Sequence, residues 1–317
     1  MNTLHFIVNP QSKNGYGEHI WKVVKAELER RRVRYQIYFT QYPGHASAIA
    51  EEIAKGSIGE TVVVAVGGDG TIHEIINGII HYSSIKLGII PCGSGNDFAR
   101  GYRIPNEPLL ALKQIIEHEQ KKREYIDIGK VRFNHGGKEI FFANNMGAGF
   151  DAEVASGANK SKLKLLFNRF SLGGLVYGLI LIKKLFSFKC SRIDINIDGE
   201  QYSFPSTWFI TIANQPFYGG GMIIAPEAIA TDGELNIVIV NQLSKIKLLA
   251  VFVSVFWGGH VKFKEVTLLS GKKISISSSH SLLVHADGEI CGNTPLELEV
   301  IPKALSIISM SKQSLQT

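Results

Sequence analysis

The stretch Val62-Val63-Val64-Ala65-Val66-Gly67-Gly68-Asp69-Gly70-Thr71 largely determines the fold that we expect for this chain of 317 residues. Its first five residues are apolar and predict a buried strand. Isoleucines at helical spacing follow within residues 72–80 and predict an amphipathic helix. A strand that turns through glycines into a helix can bind phosphate, because backbone N–H groups and the helix dipole converge at the turn. The stretch therefore predicts a strand–turn–helix unit with a phosphate site.

Asp69 gives this turn a second property. A carboxylate beside a phosphate repels it unless a metal ion lies between them, so the motif favours a complex of metal and nucleotide. A structural interpretation also exists. The glycines would then only permit a positive φ and close packing of the helix on the sheet. Thr71 and Glu74 would form a capping box at the start of the helix.

The pattern around this unit predicts two domains. Strands and helices alternate from residue 4 to about 120, which is typical of an α/β domain with a mostly parallel sheet. After about Tyr125 the sequence is rich in strands, and Asp198-Gly199 predicts a tight hairpin. We expect an α/β domain over residues 1–125 and an antiparallel β-sandwich that binds the substrate over residues 126–301. Whether residues 302–317 pack back on the first domain is left open.

The composition narrows the class of protein. The formal charge of +6 fits a nucleic acid, an anionic membrane or an anionic cofactor. No nucleic-acid recognition motif accompanies the charge, so nucleic acid is not an expected partner. The three cysteines lack metal-ligand spacing and predict reduced thiols in a cytoplasmic protein. The N-terminal residues predict a strand rather than a signal peptide, and the apolar run Leu172–Ile182 is too short to span a bilayer.

One long segment is basic throughout. Between Val154 and Ile193 the sequence has no acidic residue, and lysines and arginines surround its apolar run. This pattern suits the surface of an anionic bilayer. It equally suits a helix that packs on the second domain with a solvated basic face, and both interpretations stay open.

Two further loops carry small polar residues at the predicted ends of strands. Asn9–Gly15 follows the first strand, and Pro91–Arg100 follows the strand Leu87–Ile90. Ligands bind at the carboxyl ends of strands in such sheets. The loops match no P-loop and no dinucleotide fingerprint, and Cys92 excludes a nucleophile elbow in the loop Pro91–Arg100. Any nucleotide here is therefore held by a different architecture.

Taken together, the three loops resemble the diacylglycerol kinase catalytic domain of bacterial lipid kinases, a family that includes sphingosine and ceramide kinases. The resemblance continues through further motifs of the second half of the chain: Gly147–Ala152, Gly219–Gly221, Ala225-Pro226, Asp232-Gly233 and Asp287-Gly288-Glu289. It implies an N-terminal domain like that of NAD kinases, a β-sandwich domain that binds lipid, and an active site in the cleft between them.

The resemblance also implies the reaction. The expected enzyme is a kinase that depends on ATP and Mg²⁺ and phosphorylates a lipid hydroxyl, with diacylglycerol as the expected acceptor and phosphatidic acid as the product. It would act in phospholipid biosynthesis, in the cytoplasm, peripheral to the inner face of the membrane; a homodimer is left open. Two alternatives remain, which are an NAD kinase-like enzyme and a catalytically silent regulator that binds nucleotide or lipid.

The resemblance assigns roles to individual residues. The general base on the lipid hydroxyl would be Asp287, with Glu289 beside it. Asp69, helped by Asp97, Asp127 and Lys13, would organise the catalytic Mg²⁺, which Asp69 binds through water. A structural Mg²⁺ would bind Asp232 and the main chain near Ile229 and Glu234. The residues expected to hold ATP come from all three loops and the second strand: Asn9, Pro10, Gln11, Ser12, Lys13, Thr40, Gly68, Asp69, Gly70, Thr71, Ile72, His73, Glu74 and Ser94.

Overall fold

A computed structural model describes residues 3–119, 123–133, 139–160 and 183–309. The chain divides into two compact units. One unit spans Met1–Ile128 and takes up the chain again at Pro302, and the other spans Gly129–Ile301. Much of the basic segment that we singled out between Val154 and Ile193 lies outside the described residues.

The first unit is built on a parallel sheet. Its strands are β1 (Leu4–Val8), β2 (Tyr35–Phe39), β3 (Thr61–Gly67) and β4 (Ile85–Pro91). They lie in the order β2-β1-β3-β4, and Ser306 and Ile307 extend the sheet in parallel beside β4. Residues 62–67 are buried, as expected of a parallel strand that is covered on both faces. The α/β prediction is confirmed.

Helices cover this sheet and connect its strands: α1 (Ser12–Arg30), α2 (His45–Lys55), α3 (Asp69–Ile79), α4 (Asp97–Gly101) and α5 (Pro108–His118). The start of α3 differs from the expectation, because the helix begins at Asp69 with Gly68 as its N-cap. The capping box of Thr71 and Glu74 is wrong. The Glu74 carboxylate instead accepts hydrogen bonds from the backbone N–H groups of Gly44 and Ala46, at the start of α2.

The second unit is an antiparallel β structure, as predicted. Two strands carry the chain between the units, β5 (Glu124–Phe133) and β17 (Leu296–Ile307). The strands between them are β6 (Glu139–Phe142), β7 (Asn145–Gly149), β8 (Ser191–Ile197), β9 (Glu200–Ala213), β10 (Phe217–Tyr218), β11 (Met222–Ile223), β12 (Leu235–Asn241), β13 (Val266–Gly271), β14 (Lys273–Ser278), β15 (Leu283–Ala286) and β16 (Glu289–Asn293).

Their main path runs β16-β15-β7-β9-β8-β14-β17, and β12 pairs with both β9 and β13. Along β12 the side chains alternate between two apolar cores. Ile237 and Ile239 belong to one core, while Val238 and Val240 belong to the other. Residues two apart face the same side of a strand, so this sheet is packed on both faces.

The core that contains Val238 and Val240 also packs against helices that the sequence pattern did not predict. These are α6 (Phe150–Lys160), α7 (Lys245–Ser254) and two 3-10 turns at Val255–Trp257 and Gly259–Lys262. Leu248 and Val251 of α7 pack into the core beside Trp208. Among the described residues, no helix has both the length and the apolar character needed to cross a membrane.

Candidate functional site

Three loops lie at the carboxyl ends of β1, β3 and β4: loop 1 (residues 9–15), loop 2 (residues 67–71) and loop 3 (residues 91–100). The side chain of Asn9 donates a hydrogen bond of 3.0 Å to the Thr71 hydroxyl. The backbone N–H of Asn9 donates to Val66 at the end of β3. Loop 1 is therefore fixed against loop 2.

Loops 2 and 3 touch backbone to backbone. A Cβ atom built on Gly68 would lie 2.8 Å from the Cα of Gly93, and one built on Gly93 would lie 2.5 Å from the Cα of Gly68. The N–H of Cys92 also donates to the carbonyl of Gly67 at 2.9 Å. No side chain fits in this contact. Both positions therefore require glycine because the two backbones approach closely, and not because of an unusual φ.

The two loops are also joined by Asp69. Its Oδ1 accepts a hydrogen bond of 3.0 Å from the backbone N–H of Phe98. The neighbouring carboxylate of Asp97 is buried and accepts a bond of 2.7 Å from the guanidinium of Arg100. The guanidinium of Arg100 in turn bonds the carbonyl of Gly95. Two of the predicted magnesium organisers thus lie in loops that contact each other directly.

Loop 1 has an unusual backbone. Lys13, Asn14 and Gly15 have φ values of 46°, 57° and 90°, so the regular part of α1 starts only after them. The Lys13 side chain is exposed, and its Nζ lies 5.3 Å from the centre of the Tyr16 ring. The Ser12 side chain contacts Cys92 of loop 3. Burial raises the pKa of the Cys92 thiol to about 11, and the hydrogen bond from Ser12 opposes this shift.

Other predicted nucleotide residues lie at the same end of the sheet. The N–H of Thr40, just after β2, donates to the carbonyl of Val8 and so lies beside loop 1. Ile72 is buried in the apolar core, which leaves only its backbone available to a ligand. The carboxylate of Glu74 is used to hold α2. Ser94 is exposed in loop 3.

One hydrogen bond that Asp127 accepts comes from the C-terminal part of the chain and not from one of the three loops. Asp127 is almost fully buried on β5, and its Oδ1 accepts a hydrogen bond of 2.7 Å from the backbone N–H of Lys303. In the part of the chain that is described, no three His, Cys, Asp or Glu side chains form a group that would hold a metal.

Asp287 occupies the turn between β15 and β16 in the second unit. Asp287 and Gly288 have φ values of 50° and 90°, as in a tight two-residue hairpin turn. The Asp287 carboxylate accepts backbone N–H bonds at 3.1, 2.8 and 3.1 Å from three consecutive residues, Ala143, Asn144 and Asn145. These donors fix the orientation of the carboxylate. Glu289 is exposed at the first position of β16.

The turn at Asp198-Gly199 has the same construction. Its φ values are 51° and 101°, and the Asp198 carboxylate accepts N–H bonds from Lys272 and Lys273 at 2.9 and 2.8 Å. These bonds hold the pKa of the Asp198 carboxyl below its usual value, with the bond from Lys272 the largest cause. The prediction that Asp198-Gly199 is a turn is confirmed. Turn geometry alone therefore does not separate Asp287 from a structural aspartate.

A buried polar pair beneath the Asp287 turn was missed by the sequence analysis. Nε2 of His285 lies 3.4 Å from Oδ2 of Asp151, and both side chains are buried. The N–H of Gly288 points at Nδ1 of His285 at 3.3 Å, which leaves the Nε2–H of a neutral ring to face Asp151. The hydroxyl of Thr211 also bonds Asp151. The position of His285, two residues before Asp287, was the only local signal.

The predicted structural metal loop offers oxygen atoms only. Oδ1 of Asp232 accepts the N–H of Glu234 at 3.0 Å, and the carbonyl of Ile229 accepts the N–H groups of Thr231 and Asp232. The Glu234 carboxylate accepts a hydrogen bond of 2.9 Å from the Ser270 hydroxyl. A set of hard oxygen donors fits Mg²⁺ or Ca²⁺.

Comparison with known families covers nearly the whole chain. The diacylglycerol kinase catalytic domain matches residues 3–131. The YegS C-terminal NAD kinase beta sandwich-like domain matches residues 144–309. The two matches fall on the parallel sheet and on the antiparallel unit respectively.

Relatives and solved structures agree with these matches. The chain is 33% identical over 311 residues to "Putative lipid kinase YtlR" of Bacillus subtilis, covering 97% of this chain and 99% of the relative. It is 29% identical over 260 residues to a diacylglycerol kinase of Mycobacterium tuberculosis, covering 82% of this chain and 79% of the relative. The fold is similar to that in the crystal structure of "a putative diacylglycerol kinase" from Bacillus anthracis. Its TM-score is 0.74, with 22% identity and 97% of each chain covered.

Proposed function

The chain belongs to the bacterial lipid kinase family that joins a diacylglycerol kinase catalytic domain to a YegS-type C-terminal domain, and on that premise we propose that it transfers the γ-phosphoryl group of ATP to a lipid hydroxyl. The proposed acceptor is diacylglycerol and the proposed product is phosphatidic acid. The proposed setting is phospholipid synthesis at the inner face of the membrane.

One observation supports the nucleotide half of this proposal above the others. Asp69 lies in the first turn of α3, where the positive end of the helix dipole and its N–H groups favour phosphate, and its carboxylate also bonds loop 3. Two glycine loops are thus held in backbone contact around a carboxylate. An acidic group at a phosphate site is explained when Mg²⁺ accompanies the phosphate.

When bound, ATP with Mg²⁺ supplies the phosphoryl group, and the metal neutralises negative charge that develops during transfer. The chain supplies positioning and charge. In our proposal the N–H groups of loops 2 and 3 and the hydroxyls of Thr71 and Ser94 orient the phosphates, with Lys13 as a cationic partner. Asp69, supported by Asp97 and Asp127, orients the metal.

In the second unit, Asp287 accepts the proton of the lipid hydroxyl. Its N–H donors from residues 143–145 hold the carboxylate in a fixed orientation, as a general base requires. Glu289 is proposed to assist from the same turn. We further propose that the oxygen-lined loop at Asp232 binds a structural Mg²⁺, with the main chain at Ile229 and Glu234.

A transfer assay tests this proposal. The purified protein is incubated with Mg²⁺ and ATP labelled in its γ-phosphate, with diacylglycerol, sphingosine and ceramide in separate mixed micelles and NAD in a parallel reaction. We expect label in phosphatidic acid. Label in NAD and in no lipid would make the protein an NAD kinase, and nucleotide binding without transfer to any acceptor would make it a regulator. Either result rejects the proposed function.

A further inference from the structure

Helix α7 and the 3-10 turn after it are apolar on two opposite sides. Leu248, Val251 and Val255 are buried and pack against the core that contains Trp208. A surface helix normally presents polar residues opposite such a buried stripe. Here the side chains on the opposite side are also apolar, and they are exposed.

We define the α7 face as the large apolar side chains that are exposed on this side and on the adjoining segment: Phe186, Ile246, Leu249, Val253, Phe256 and Trp257. Ile246 is 83% exposed, and Trp257 is 65% exposed. Ile246, Leu249, Val253 and Phe256 follow each other at intervals of three and four residues, so they line one stripe. Contiguous exposed apolar surface of this kind marks an interaction site.

Phe186 joins this stripe through Lys245. Nζ of Lys245 donates a hydrogen bond of 3.0 Å to the carbonyl of Phe186 and lies 5.6 Å from the centre of its ring. Two buried hydrogen bonds fix the segments on either side of α7 to the second unit. The buried ring of His260 bonds the carbonyl of Ile224 at 2.8 Å, and the indole N–H of Trp208 donates to the carbonyl of Leu243.

The chain segments that carry the α7 face are basic, and Glu153, from outside them, pairs with Lys184. No Asp or Glu occurs between Leu235 and Lys264, and Lys245, Lys262 and Lys264 are exposed there. Exposed Lys183 and Lys189 flank Phe186 in the sequence. Glu265, the first acidic residue after this stretch, is paired with Lys247. Lysines around an apolar stripe that contains tryptophan complement an anionic headgroup layer.

We propose that the α7 face docks on the surface of an anionic phospholipid bilayer, with Ile246, Phe256 and Trp257 entering the headgroup region. The inference rests on the proposed function, because a diacylglycerol acceptor resides in a bilayer. It goes further by assigning the contact to α7 and the turn after it, in the second unit. Phe186, at the end of the basic segment whose two interpretations the sequence analysis left open, adjoins this contact.

Vesicle binding tests the proposal without depending on catalysis. The full chain is sedimented with vesicles of equimolar phosphatidylcholine and phosphatidylglycerol, and with vesicles of phosphatidylcholine alone. We expect binding to the anionic vesicles that salt weakens. The variants Ile246→Glu and Trp257→Glu are each expected to weaken binding roughly tenfold or more. The double variant Lys262→Gln/Lys264→Gln is expected to weaken it roughly tenfold on anionic vesicles only.

The chain offers a matched control and an intrinsic probe. Ile58→Glu changes a fully exposed isoleucine of the first unit and should leave vesicle binding unchanged. Trp21 and Trp208 are only 5% and 3% exposed, so Trp257 dominates any change in tryptophan emission. Its emission should shift to shorter wavelength on anionic vesicles and be quenched by brominated acyl chains.

Several results would overturn the proposal. Wild-type binding by both glutamate variants would exclude the α7 face as the contact. A face covered by a second copy would give a dimer that Trp257→Glu converts to a monomer, and a face covered by another part of the chain would give a large loss of melting temperature in that variant. Phosphorylation of soluble dioctanoylglycerol without vesicle binding would reject the docking face but keep the kinase. Vesicle binding through the face without any lipid phosphorylation would reject the kinase alone.

Discussion

Oδ1 of Asp69 accepts a hydrogen bond of 3.0 Å from the backbone N–H of Phe98, which lies 29 residues further along the chain. The bond joins the glycine turn after β3 to the loop after β4. Asp69 therefore has a structural contact and, in our proposal, a metal-orienting charge. The two roles can be separated, because asparagine keeps an oxygen that can accept the N–H while it removes the charge.

We predict that Asp69→Asn keeps the wild-type melting temperature and lowers lipid phosphorylation about a hundredfold or more, because an interaction with developing charge is lost. Asp69→Ala should lose both activity and stability. Turnover and thermal unfolding of both variants check this prediction. Normal turnover by Asp69→Asn would contradict the assignment of Asp69 to the metal.

The two Asp-Gly turns provide a matched pair for the proposed base. Asp287 and Asp198 have nearly the same φ, and each carboxylate accepts N–H groups from neighbouring backbone. We predict that asparagine at either position costs a similar small amount of stability, about 1 kcal/mol. Only Asp287→Asn should lower kcat, by roughly a hundredfold or more, since only Asp287 removes a proton from the acceptor. Equal kcat values in the two variants, measured beside urea unfolding, would make Asp287 a turn residue only.

The features that could be predicted well from the sequence depend on residues that are close together in the chain. The apolar run of β3, its glycine turn and the hairpin at Asp198-Gly199 depend on neighbouring residues, and the structure contains all of them. The capping box failed because of distant partners, since Glu74 reaches Gly44 and Ala46. Asp287 likewise binds N–H groups more than 140 residues away, and no local pattern indicates them.

Helix α7 shows a second limit of pattern analysis. The prediction of strands in the second half of the chain had no helix at residues 245–254, since a helix that is apolar on two sides lacks the periodicity by which amphipathic helices are found. The same feature makes this helix a candidate surface for lipid. The His285–Asp151 pair was missed for a different reason, since its members lie far apart in the sequence and meet only through the pairing of β15 with β7.

The contact between Gly68 and Gly93 predicts the effect of a single added methyl group. In Gly93→Ala the new Cβ would meet the Cα of Gly68 at 2.5 Å, and backbone cannot yield as a flexible side chain can. We predict a loss of about 1–3 kcal/mol in the free energy of unfolding, together with weaker binding of ATP. Gly56→Ala is the control, because its Cβ would meet nothing closer than 3.5 Å and its φ is −79°. Urea unfolding and nucleotide titration measure both effects, and equal behaviour of the two variants would refute the close contact.

His260 predicts how stability depends on pH. Burial lowers the pKa of His260 below its ordinary value of 6.5, while its bond to the carbonyl of Ile224 opposes the shift. Below the unfolded pKa the unfolded chain therefore binds a proton that the folded protein resists. Stability linked to His260 is complete above that pKa and is lost as the pH falls below it.

In His260→Gln the amide can still donate to Ile224 but cannot titrate, so the free energy of unfolding should fall less between about pH 7.5 and about pH 5.5 than in the wild type. His5, whose pKa burial also lowers, contributes equally to both proteins and cancels in the difference. An identical pH slope in the two proteins would show that His260 is protonated as easily in the folded state as in the unfolded chain.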